Sequence, residues 1–381
     1  MGHLEADVVR PRTDFIDRLR VVLTALVIVH HAAITYGGSG GWFYREVTDD
    51  GLPSSMALTL LTAVNQAFFM GMFFLIAGYF TPASLSKKGA ARFLGERLVR
   101  LGVPVLIFGF VLGPLSAALA GAPAGQPVVG RWVEMMASGV FVIGPLWFAL
   151  ALLIFTLGWV AWAMVRSARA ETTTAPDAAV PSWPSWLLAA VGVGAAALLL
   201  RQWVPVGRSV LGLQLGYFAS YTFLFALGCH AASGRWLERV STAQAKGWAV
   251  VSVLALPVVF IAAALGGALE GKPVDFNGGL GLPAIVYAFW EPFVAWGIIA
   301  SLLYVFRTRF NRASARWSRW SGHAYGAFIV HAPILVGISV LASGWNGPVL
   351  LKFVVVSVLA TVLSFGIAGW LRRLPGANRI L

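Results

Sequence analysis

The sequence places four ionisable side chains, His30, His31, Glu291 and His331, inside long apolar runs. A titratable group in hydrocarbon is costly, so such residues mark pathways and reaction centres. The first run reads Asp17-Arg18-Leu19-Arg20, then ten residues, then His31. Eleven positions is close to a whole number of helical turns, so Arg20 and His31 share one face about 16 Å apart. Thr24 and Thr35 fall on the same stripe, and His30 is turned away by about 100°. The pattern sets a cation at one membrane surface and an imidazole near mid-membrane, on one line. An anionic ligand would be gripped at one end and attacked at the other. A neutral imidazole can take the proton of an attacking hydroxyl. His31 is the better placed for this and His30 is auxiliary; the plain alternative for both is hydrogen bonding to neighbouring helices.

Two further segments carry usable chemistry. Arg92-Phe-Leu-Gly-Glu-Arg97-Leu-Val-Arg100-Leu-Gly-Val-Pro104 sets Arg97 and Arg100 three residues apart on one helix face, planar donors suited to phosphates. Generic positive-inside charge or lipid headgroup contact would explain each arginine equally well. Late in the chain, Ser321-Gly-His-Ala-Tyr325-Gly-Ala-Phe328-Ile-Val-His331-Ala-Pro333 brings Tyr325 and His331 near a proline that loosens a helix and frees a carbonyl. His331 is a second site residue or a clasp between helices. Glu291, in Phe289-Trp-Glu-Pro292, is the one carboxylate placed inside a span. It would orient a histidine as base, or serve as a protonated or paired structural group.

The elements that must position these residues are membrane helices. Of 381 residues 59% are hydrophobic and 11% charged, with a mean hydropathy of +0.79, far too apolar for a soluble fold. Ten spans are expected, at roughly 19–37, 57–80, 101–120, 139–165, 185–204, 214–233, 248–268, 283–306, 324–343 and 348–371, each able to cross about 30 Å of hydrocarbon. Runs this long and uniform make helices rather than barrel strands, so the fold class is all-α, a polytopic transmembrane bundle.

A net charge of +13 would suggest nucleic acid in a soluble chain, but here it sets orientation. With the residues before position 20 in the cytoplasm, 22 of the 28 lysines and arginines fall on that side, which puts both termini there. The first span follows a charged segment with no small-residue cleavage site and reads as retained. Residues 167–184, rich in Thr, Ala and Pro, read as a cytoplasmic linker. Trp42, Tyr44, Trp183, Trp186 and Trp345 read as interfacial anchors. The single Cys229 excludes a disulfide framework or cysteine metal site.

Taken together, these segments resemble the acyltransferase type 3 family of membrane acyltransferases, which includes sugar O-acetylases and glucan-succinylating proteins. Arg20 to His31 is similar to the family's R-x10-H signature. Phe73-Phe-Leu-Ile-Ala-Gly78-Tyr resembles its FF-x-x-SG-[FY] block, with Ala77 for the usual Ser. Arg97 to Pro104 resembles R-x-x-RL-x-P, Leu146-Trp-Phe148 resembles LWFL, and Tyr325 to Pro333 resembles SY-x-x-YL-x-H-x-P, with Phe328 where the family has Tyr. Tyr36 to Tyr44 is similar to the glucan-succinylating branch.

The resemblance implies an acyltransferase membrane domain over 14–371, with cytoplasmic tails at 1–13 and 372–381, in a bacterial cytoplasmic (inner) membrane. It implies transfer of an acetyl or succinyl group from acyl-CoA to a hydroxyl of a carbohydrate or glycolipid acceptor. By the resemblance His31 would be the catalytic histidine, Arg20, Arg97 and Arg100 would hold the donor, and His331 would be auxiliary; from the residues themselves, Glu291 and His331 are candidates to join His31 in catalysis, with His30 and Tyr325 auxiliary. The resemblance calls for no metal, no bound cofactor and no nucleic acid; acyl-CoA is a co-substrate, and membrane lipids surround the chain. The competing class is a proton-coupled secondary transporter of an anionic substrate, in which His and Glu relay protons and Arg20 pairs with the cargo. No internal repeat or matching pair of broken helices supports it.

Overall fold

The computed structural model describes residues 13–48, 53–167 and 179–380; most of the expected linker and the first twelve residues lie outside the described residues. Among those described there are helices and turns and no strand, only two isolated bridges. Among the described residues nine helices are long and apolar enough to cross a membrane. In chain order they are α1 (Asp14–Thr35), α2 (Pro53–Lys88), α3 (Ala90–Ala120), the helix running to Val165 from Gly144, and α6 (Trp183–Leu200). Thr242–Leu265, α9 (Leu282–Arg309), α10 (Ala315–Leu341) and α11 (Val349–Leu371) complete the set. The short Val128–Ala137 helix is α4, the long helix Trp147–Ser167 is α5, Phe218–Ala231 is α7, and Thr242–Leu265 is α8.

Two elements differ from expectation. The segment expected to span at 214–233 is α7, only 14 residues long and preceded by a single tight turn at Leu215–Tyr217. It packs flush along α2, because Gly78 and Gly228 let the backbones touch: a Cβ at either glycine would come within 2.2 Å of a carbonyl on the other helix. The third helix starts at Ala90 rather than near 101, so the helix face expected for Arg97 and Arg100 is part of the span itself and Arg92 rides on it too. Pro104 explains a further irregularity. It has no N–H for the carbonyl four residues back, that of Arg100, and the helix widens to a π-turn over Leu98–Gly102.

The central helix is α1, which touches α2, α9, α10 and α11. Its neighbours α10 and α11 pair along their length, as do α8 and α9. The outward faces of α6, α8 and α11 carry exposed Leu188, Leu254, Val358 and Val362, the apolar surface a lipid-facing helix presents.

Candidate active site

Helix α1 carries His31 four residues before its end, about 6 Å from Thr35 and about 25 Å from Asp14. The ring therefore sits near the far end of the helix rather than at its midpoint. Directly opposite, α10 supplies His331, and the two rings meet with His31 Nδ1 3.1 Å from His331 Nε2. On its other side His331 Nδ1 lies 2.6 Å from the carbonyl oxygen of Phe328, one turn back on its own helix.

A carbonyl can only accept, so this second contact decides the first. His331 Nδ1 donates to Phe328, which leaves Nε2 of a neutral His331 as an acceptor. His31 Nδ1 must then donate to it, and in a neutral ring the lone pair of His31 falls on Nε2. His331 is fully buried while His31 is half-buried, so the nitrogen left basic belongs to the more open ring. His30 points elsewhere: it is buried, packs on Phe69 with centroids 4.9 Å apart, and its Nδ1 has no hydrogen-bond partner among the described residues. The two histidines that sequence alone leaves hard to separate thus have different environments.

Trp42, expected at the interface, instead stacks on the His31 ring at 3.9 Å and 12°, and lies over His331 at 5.9 Å. The strap that brings it back, residues 36–47, turns through Gly37 and Gly40 at φ 113° and 139°. Arg45 donates to the carbonyls of Gly38 and Gly40, both at 3.1 Å. Glu46 is joined to Lys352 of α11 by a buried ion pair, and its N–H bonds the Thr35 carbonyl at 2.8 Å. The indole N–H of Trp42 is buried without a partner among the described residues, a donor beside the histidine pair. Only the Gly-rich strap sequence hinted at this, since nothing in residue spacing shows a loop folding back.

At the opposite end of the α1 stripe lie the arginines. Arg20 pairs with Asp17 at 3.1 Å and its guanidinium covers the Phe80 ring at 4.9 Å. Arg20, Arg97 and Arg100 are close enough to act on one another electrostatically. The nearby carboxylate of Glu96 is occupied by Lys88 and Arg92, so it leaves Arg97 and Arg100 open to an anion. Tyr325 is not at the histidines; its hydroxyl donates to the Arg100 carbonyl at 2.9 Å, replacing the donor that Pro104 lacks. Between the two ends run the aromatic rings of three separate segments, Phe74 to Phe148 at 4.7 Å, Phe148 to Phe328 at 5.8 Å, and Phe328 to His331 at 5.7 Å.

Of the two places expected for it, Glu291 takes that of a paired group and not that of a carboxylate beside a histidine. Its carboxylate forms an ion pair with Arg201, both nearly fully buried, and Arg201 also donates to the Gly216 carbonyl at 3.0 Å. The Arg201 guanidinium lies between the rings of Tyr217 and Tyr287, 5.5 and 5.3 Å from their centroids. The physical reason is pairing: a carboxylate in hydrocarbon is held by a cation when one is in reach, and Arg201, at the end of α6, is. The position expected for a carboxylate beside a histidine is filled by His331 and the Phe328 carbonyl. Among the described residues no group of three or more His, Cys, Asp and Glu is arranged to hold a metal ion.

The bundle thus holds a paired histidine at one end of a polar stripe and an arginine cluster at the other. The family model of the acyltransferase domain Acyl_transf_3 matches residues 13–371, and the chain belongs to that family. It is also similar to proteins named glucans biosynthesis protein C from Salmonella paratyphi B, Salmonella heidelberg and Salmonella agona, each 32% identical over 96 residues. That stretch is 25% of this chain and spans 23% of the length of those relatives. The chain is a multi-pass membrane protein of that acyltransferase family.

Proposed function

We propose that the protein moves an acetyl or succinyl group from acyl-CoA to a hydroxyl of a carbohydrate or glycolipid acceptor. The proposed setting is a bacterial cytoplasmic membrane with both chain termini in the cytoplasm. The observation that carries this reading is the hydrogen-bond sequence Phe328 carbonyl, His331, His31, which leaves His31 Nε2 as a base on an accessible ring. Arg20, Arg97 and Arg100 bind the phosphates of the donor at the arginine end, and the thioester lies along the stripe toward His31.

In the transfer, His31 Nε2 takes the proton of the acceptor hydroxyl as its oxygen attacks the thioester carbonyl. The tetrahedral adduct collapses, the C–S bond breaks, and His31 returns the proton to the departing sulfur. The products are an ester and free coenzyme A. His331 holds the His31 tautomer throughout and steadies the ring when it carries the extra proton, as the third group of a triad does. The far-end location of His31 favours an acceptor that approaches from the side opposite the arginines. The name of the Salmonella relatives supports a glucan among the acceptors to try first.

The test is purified protein in nanodiscs with acetyl-CoA or succinyl-CoA, following free thiol with and without glucan, wild type beside His31→Ala. Thiol release that needs both His31 and acceptor is expected. Failure to bind either donor would sink the reading.

A further inference from the structure

Away from the acyl-transfer stripe, α10 and α11 enclose a hollow of about 700 Å³ at the arginine-rich end of the bundle. Arg319, His323, Arg372 and Arg373 line its head, with Trp320 and Trp370 beside them. Among the described residues no carboxylate lines it; Asp14 lines a second hollow that shares Arg319. The Nε of Arg372 is buried and has no hydrogen-bond partner among the described residues. Gly322 and Gly369 make the room. A Cβ at Gly322 would meet the Arg372 guanidinium at 2.0 Å, and one at Gly369 the His323 ring at 2.7 Å.

Below the cationic head the wall turns apolar through Val362, Phe365 and Gly366. It continues along the outer face of α11, where Val358, Leu359, Val362 and Leu363 stand about half exposed. Trp320 and Trp370 are 40% and 59% exposed beside the cationic head, and indoles are the side chains enriched at headgroup level. His323 is two residues from Tyr325, about 200° around the helix, and Tyr325 faces Arg100. The hollow is therefore on the opposite side of α10 from the donor arginines.

We infer that this hollow is a binding site for an anionic glycerophospholipid. Arg319, Arg372 and Arg373 take its phosphate, and its acyl chains lie on the outer face of α11. Basic head and apolar wall in one continuous surface match a lipid rather than a free anion, which would find the arginines without needing the groove.

Native mass spectrometry of the full chain released from mild detergent tests this, comparing wild type with Arg319→Gln/Arg373→Gln and Arg319→Lys/Arg373→Lys. Both positions are exposed, so folding is expected to survive, and elution as a single species checks it. Wild type should retain phosphatidylglycerol or cardiolipin in preference to phosphatidylcholine. The double Gln variant should hold the anionic lipid roughly thirtyfold less tightly, two surface charges having gone, and the double Lys variant should hold it nearly as well as wild type. Equal retention of phosphatidylcholine, or unchanged retention by the Gln variant, overturns the inference. So does release of the lipid by millimolar inorganic phosphate, which would make the hollow a free-anion site. None of these readings depends on acyl transfer.

Discussion

His31 Nδ1 and His331 Nε2 lie 3.1 Å apart across 300 residues of chain, and the contact is asymmetric because Phe328 fixes the far side of His331. The asymmetry places the one free lone pair of the pair on the more open ring. An isolated imidazole exchanges tautomers and spends part of its time with Nε2 protonated and useless as a base.

Replacing His31 with Ala should therefore lower kcat by roughly 10²- to 10⁴-fold, the usual worth of a general base. His331→Ala should lower kcat by less, with KM for the donor unchanged, since it frees the tautomer without removing the base. His30→Ala should stay within about tenfold of wild type, as its ring packs on Phe69. Steady-state kinetics of the three variants in nanodiscs decides this. A His331→Ala enzyme with full kcat would show that the ring-to-ring bond has no part in the reaction.

Trp42 presents the flat surface that fixes the His31 ring plane. Trp42→Phe keeps a ring there and should cost only a few-fold in kcat. Trp42→Ala opens the face and should reduce kcat/KM for the acceptor by about 2- to 12-fold for the stacked pair with His31, as 1.4 kcal/mol per tenfold and about 0.5–1.5 kcal/mol per aromatic pair beyond burial would give. Breaking the strap's tether with Lys352→Met should give the same defect at a distance. If Trp42→Ala matches wild type with every acceptor, the indole is packing only.

Much of this was legible beforehand, for physical reasons. Hydrocarbon forces helices, so apolar run length sets the elements, and the 3.6-residue period alone puts Arg20 and His31 on one line. What stayed hidden depends on through-space choices. The flush packing of α7 on α2 follows from two glycines that let backbones touch, and no residue pattern in 214–233 shows how long its helix is. Glu291 and His331 are equally plausible partners for His31 on paper, and only the folded chain shows that Arg201 reaches the carboxylate first. Trp42 at a span end is indistinguishable from an interfacial anchor until the strap is seen to turn back.

The proposed donor role of the arginines makes a kinetic prediction of a different shape. Arg97→Gln and Arg100→Gln should raise KM for acyl-CoA with little change in kcat, because a phosphate contact far from the thioester binds ground state and transition state alike. The effect should shrink as salt is raised, since screening weakens the same contact in wild type. Arg100→Lys should restore charge but not the planar fork, leaving part of the defect. A pure loss of kcat in either Gln variant would place these residues near the reacting atoms instead of at the donor's phosphates.

Glu291 separates a structural role from a catalytic one most sharply. Its partner Arg201 is 2% exposed, and removal of one member of a buried ion pair strands the other, at about 3–5 kcal/mol. Glu291→Gln and Arg201→Met should each lower thermal stability in detergent, and the fraction that remains folded should turn over at close to the wild-type rate. The double change Arg201→Met/Glu291→Leu removes both charges and should recover much of the lost stability, since no uncompensated charge is left behind. Activity normalised to folded protein, measured beside the melting temperature for all three variants, gives the answer. If Glu291→Gln melts like wild type yet turns over a hundredfold more slowly, the carboxylate works in the reaction, and the His31–His331 pair is not the complete acid–base unit.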